Sequence, residues 1–75
     1  MLVANTRADL SKIIKRLAYT MECGTREQIF LKDCSLISYV TKSLMSENLS
    51  LIDAYEEGKG IVITIENRFG RKCKE

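Results

Sequence analysis

The apolar residues of this chain change their period once, and that change limits the folds open to it. Leu10, Ile13, Ile14, Leu17, Ala18 and Met21 stand at i, i+3, i+4, i+7, i+8 and i+11, the spacing of one face of an α-helix. Leu36, Ile37, Val40, Leu44 and Met45 repeat the same stripe. After Leu49 the period falls to two, and Ile61-Val62-Ile63-Thr64-Ile65 is a β-branched run that suits a strand. Helices first and a hairpin last is the order this pattern demands.

Local start and stop signals divide the helical part. Thr6 followed by Asp9 resembles a capping box and predicts a first helix over 8–22, with Gly24 as its stop. Lys12, Lys15, Arg16 and Tyr19 occupy its opposite face, which reads as solvated, with phosphate or partner contact as the alternative. Thr25 and Gln28 form a second capping box and predict a short helix over 26–33, whose adjacent Ile29, Phe30 and Leu31 imply burial on more than one side. Ser35 opens a third helix over 36–47, and Asn48 falls where a helix commonly ends in a left-handed residue. Glu56-Glu57-Gly58-Lys59-Gly60 is then the charged tip of a hairpin, with Gly58 and Gly60 allowing positive φ. Leu2-Val3-Ala4 is either a short extra strand or an apolar segment for a second subunit.

At 75 residues, 45% of them hydrophobic and none of them proline, the chain is one globular domain over 1–75, with 66–75 a basic, mobile tail. Cores this small usually gain a staple, a metal or a partner, so a homodimer is expected. Leu2-Val3-Ala4 is far shorter than the ~20 residues of a membrane span and too short for a signal-peptide core, which predicts a cytoplasmic protein with no membrane partner. Three cysteines, Cys23, Cys34 and Cys73, are odd in number, widely spaced and accompanied by no histidine. That pattern fits reduced thiols better than a disulfide framework or a zinc site. Without histidine the usual nucleophilic triads cannot be built, and no glycine-rich phosphate loop precedes a helix, so the chain is not read as an enzyme and needs no cofactor, metal or small-molecule substrate.

Net charge is only +2, but four of the twelve basic residues, Arg68, Arg71, Lys72 and Lys74, crowd the last eight positions. Three helices and a hairpin resemble the winged helix-turn-helix domain. The likeness is carried by Gly24-Thr25-Arg26-Glu27-Gln28-Ile29 at the first helix junction, by Leu44-Met45-Ser46-Glu47-Asn48-Leu49 and Leu51-Ile52 at the exit of the third helix, and by Glu56-Glu57-Gly58-Lys59-Gly60 with Ile61-Val62-Ile63 as the wing. It covers about residues 8–65 and is closest to small archaeal and bacterial transcriptional regulators; Asn48 stands where that family usually has Gly. The implied fold class is α+β, mainly α, a winged helix-turn-helix.

That resemblance implies a sequence-specific regulator of double-stranded DNA, with the third helix in the major groove. It makes Ser35, Ser38, Tyr39, Lys42, Ser43 and Ser46 the base readers, gives one phosphate to Thr25 and Arg26, and sets Lys59 and the tail residues Arg68, Arg71, Lys72 and Lys74 along the backbone. Glu56 and Glu57 beside Lys59 oppose a phosphate clamp. The competing reading is a protein-binding module without nucleic acid.

Overall fold

The computed structural model describes residues 2–73. Its elements are β1 (Leu2–Ala4), α1 (Arg7–Thr20), β2 (Arg26–Leu31), a 3-10 turn (Cys34–Leu36), α2 (Ile37–Ser46), β3 (Ser50–Glu57), β4 (Gly60–Glu66) and a final 3-10 turn (Arg71–Cys73). This overturns the winged helix-turn-helix: the described residues form two α-helices over a four-stranded mixed sheet of order β1-β2-β4-β3. β1 and β2 pair in parallel across α1, α2 carries the chain on to β3, and β4 returns between β2 and β3, antiparallel to both.

The decisive correction lies at 26–31, expected as a helix and found as β2, an interior strand. Read with period two, the segment is clean. Ile29 and Leu31 are fully buried beneath the helices, while Arg26, Gln28 and Phe30 alternate onto the other face. The second capping box never forms; the Thr25 hydroxyl instead donates to the Glu22 carbonyl at 2.6 Å. Arg-Glu-Gln favours helix on intrinsic propensity, but pairing on both edges, with β1 and with β4, outweighs that weak preference.

Other local signals act as their chemistry requires. The Thr6 hydroxyl accepts from the Asp9 N–H at 3.2 Å, and the Asp9 carboxylate accepts in turn from the Asn5 N–H at 3.2 Å. Asn48 takes φ 59° and closes α2 in a Schellman arrangement, with the Leu49 N–H on the Leu44 carbonyl at 2.9 Å and the Asn48 N–H on that of Met45 at 3.2 Å. The cap of the Cys34–Leu36 turn is Asp33, whose carboxylate accepts from the Ser35 N–H at 2.9 Å. In the hairpin only Gly58 uses positive φ, at 61°. Gly60 serves clearance instead, since a Cβ there would sit 2.3 Å from the Leu31 carbonyl oxygen and 2.6 Å from the Phe30 ring.

A single cluster fills the space between helices and sheet: Leu10, Ile14 and Leu17 of α1, Val40 and Leu44 of α2, and Ile29, Leu31, Ile63 and Ile65 of β2 and β4. Val62 is equally inaccessible but outside that cluster, because it faces the other side of the sheet.

The end of the chain is fastened rather than loose through Cys73. Asn67 is fully buried: its side-chain amide donates to the Met21 carbonyl at 2.8 Å, its Oδ1 accepts from the Gly70 N–H at 2.9 Å, and its backbone bonds Gly24 and Thr25. Cys73 is joined to Cys23 by a disulfide spanning 50 positions, so reduced thiols are not the state of this pair; Cys34 is free and exposed. Lys74 lies outside the described residues. Among those residues no helix is long and apolar enough to cross a membrane.

Candidate nucleic-acid interface

Charge divides by element. α1 carries Arg7, Lys12, Lys15 and Arg16 against Asp9 alone, and α2 carries Lys42 with no acid, whereas β3 carries Asp53, Glu56 and Glu57 with no base. Asp9 is already engaged at the N-terminus of α1, where the local dipole favours an anion. The helix layer is therefore cationic, and the hairpin acidic.

Between α1 and α2 runs a groove of about 370 Å³. Lys15 and Lys42, the serines Ser11, Ser43 and Ser46, and Glu47 all line it. The helical period explains this wall. Ser11 and Lys15 lie four apart on α1, as do Tyr39 and Ser43 on α2, beside the stripes that bury Leu10, Ile14, Val40 and Leu44. Tyr39 is half-buried, with the Arg7 guanidinium 5.4 Å from its ring centroid, so a cation from α1 crosses to α2. Two ammonium groups and several hydroxyls along a shallow channel can bind successive anionic oxygens.

The residues expected to contact DNA do not share one surface. Tyr39, Lys42 and Ser43 reach the groove. Ser35 lies in the 3-10 turn and Ser38 in the first turn of α2, with the Ser38 hydroxyl donating to the Ser35 carbonyl at 2.9 Å. Thr25 is in the turn before β2, and Lys59 is exposed at the hairpin tip. Arg26 is on the open sheet face, 3.1 Å from Glu66, and Arg68 ion-pairs with the same carboxylate. These two guanidinium groups, Arg68 foremost, hold the Glu66 carboxyl below the usual range. Lys72 pairs with Glu22 at 3.1 Å. Arg71 begins the last turn, and its side chain is outside the described residues. The basic tail is thus partly neutralised by Glu66 and Glu22.

α2 packs beside α1 along its Tyr39–Ser43 side, with Ser38, Lys42 and Met45 exposed. Lys15 was legible only as part of a polar helix face and Ser11 carried no signal of its own; their meeting with Lys42 depends on how two helices pack. Among the described residues no group of three His, Cys, Asp or Glu side chains converges as a metal site requires. Comparison with protein-family models, curated proteins and solved structures finds no match to this chain.

Proposed function

We propose that this protein binds the phosphate backbone of duplex nucleic acid through its helix face, without reading bases by an inserted helix. The supporting observation is the groove in which Lys15 and Lys42 stand among serine side chains on a helix layer whose five basic residues outnumber Asp9 and Glu47. Phosphate contacts supply most of sequence-independent affinity and need no other chemistry. The Ser11 and Ser43 hydroxyls add neutral donors beside the two ammonium groups, whereas the Ser46 hydroxyl donates to the Ser43 carbonyl at 2.9 Å and the Glu47 carboxylate repels phosphate at its end of the groove.

Fluorescence anisotropy of a random-sequence duplex, titrated at salt concentrations from about 50 to 200 mM, tests this reading. Affinity should fall steeply with salt, and the double variant Lys15→Ala/Lys42→Ala should lose about two from the log–log slope, close to 0.9 per phosphate contact. Lys59→Ala, at the far hairpin tip, should leave the slope unchanged. Absence of binding at the lowest salt by folded protein, or a slope indifferent to the double variant, would reject the proposal.

A further inference from the structure

The sheet face turned away from the helices carries a continuous apolar row. Val3 of β1, Phe30 of β2, Val62 of β4 and Tyr55 of β3 are cross-strand partners in register, one from each strand. Val3 and Tyr55 remain 44% and 45% exposed, and Phe30 is half-buried over Gly60. A sheet open to water ordinarily alternates to polar side chains on that side.

Charge on this face is ordered across the strands. The β2 side is basic, with Arg26 on the face and Lys32 one step past the strand, where its N–H continues the ladder to the Ala4 carbonyl at 3.1 Å. The β3 side is acidic: Asp53 and Glu57 share the face with Tyr55. β4 runs between them, and its Glu66 is compensated by Arg26 and Arg68.

We infer that this face is the contact between two copies of the chain, related by a two-fold axis along β4. Such an axis lays β2 of one copy over β3 of the other and leaves β4 on β4. Phe30 then meets Tyr55 above the covered Val62, Lys32 stands opposite Glu57, and Gln28 with the neighbouring Arg26 stands opposite Asp53. Every contact is reciprocal, as an isologous interface requires, and the strands of the two sheets stay nearly aligned. The remaining surfaces suit a second copy less well. The helix layer would set five basic residues against five. β3 is a poor edge for strand addition, with a bulge between Leu51 and Asp53 and acids along it, and β1 offers only three residues.

The dimer turns its two helix faces outward in opposite directions. With sheets about 10 Å apart and helices about 10 Å across, the cationic surfaces are separated by roughly 30 Å of protein. They cannot lie on one duplex as paired half-sites; they hold two duplexes together. This last consequence rests on the phosphate-binding reading, whereas the dimer does not.

Sedimentation equilibrium without nucleic acid tests the dimer by itself. Wild type should have twice the 8.6 kDa chain mass at about 100 µM. Tyr55→Arg should sediment as one chain with an unchanged circular dichroism spectrum, while Met45→Arg, on α2, should remain dimeric. Glu57→Lys should weaken association by about tenfold and the double variant Lys32→Glu/Glu57→Lys should restore it, since the reversed pair still matches across the axis. A single-chain mass for wild type, or a dimer that tolerates Tyr55→Arg, would overturn the inference; a monomeric wild type whose Tyr55→Arg variant loses nucleic acid would assign the face to nucleic acid instead. Capture of a fluorescent duplex by a biotinylated one then tests bridging: wild type should capture it, and Tyr55→Arg should bind either duplex without joining them. Dimer without any duplex binding would reject the phosphate reading and leave the interface standing.

Discussion

Glu66 and Asn67 are adjacent residues whose side chains do opposite kinds of work. Glu66 is nearly inaccessible on the open face because Arg26 and Arg68 lie against it, and their hydrogen bonds depress its carboxyl titration. A depressed folded-state value means that the ionised form is favoured more in the native protein than in the unfolded chain. Its contribution is therefore complete above the unfolded carboxyl range and is lost as pH falls below about 4.3 toward the folded value. Glu66→Gln should lower the melting temperature at pH 7, and the gap from wild type should narrow progressively as pH falls through the carboxylate range; a gap constant with pH would show that the ion pairs contribute nothing. Asn67, by contrast, is uncharged and buried, and it satisfies the carbonyl of Met21 and the N–H of Gly70. Gly70 is required for that closeness, because a Cβ there would stand 2.2 Å from Asn67 Oδ1. None of this was legible locally: Glu66-Asn67-Arg68 reads as a polar tail until the fold brings the end of β4 beside the end of α1.

At the level of elements, legibility followed the strength of the period. α1 and α2 were readable to within a residue or two because their apolar stripes run for several turns, with the Thr6 cap marking the start of α1 and the left-handed Asn48 the end of α2. The hairpin was readable from Ile61 to Ile65 and from Gly58. β2 was not, because its six residues hold a helix-favouring Arg-Glu-Gln ahead of three adjacent apolar residues, and only its neighbours show which of these face the core. The same limit hid the interface groove, which needs one wall from each helix. Asn48 shows how a short-range signal succeeds. Its left-handed φ is a property of one residue, yet it fixes where α2 ends and β3 begins. Asn48→Ala should destabilise the protein by about 1 kcal/mol, the cost of a Cβ in the left-handed region without a side-chain amide, and Asn48→Gly should be neutral or stabilising. Equal losses for both variants in urea denaturation would instead assign the effect to the Asn side chain.

For the whole molecule the question is what lets so short a chain hold two helices on an open sheet. One apolar cluster is shared by every long element except β3, whose residues are largely exposed, so the sheet depends on its ends being held. The Cys23–Cys73 disulfide holds one of them, closing a loop of 50 positions between the end of α1 and the last turn. Sequence could not have paired these cysteines, since three thiols far apart in the chain carry no spacing code, and only the return of β4 beside β2 brings two together. A cross-link of that span limits the unfolded ensemble and is worth roughly 2–4 kcal/mol. Oxidised protein should therefore have a higher urea midpoint than the Cys23→Ser/Cys73→Ser variant, together with a smaller m-value, because its unfolded chain exposes less surface. The sign of the m-value change is the sharper observation. A higher midpoint with an unchanged m-value would mean that the bond acts on the native state alone, with the Asn67 hydrogen bonds as its main beneficiaries; equal midpoints would mean that Asn67 fastens the end of the chain without help.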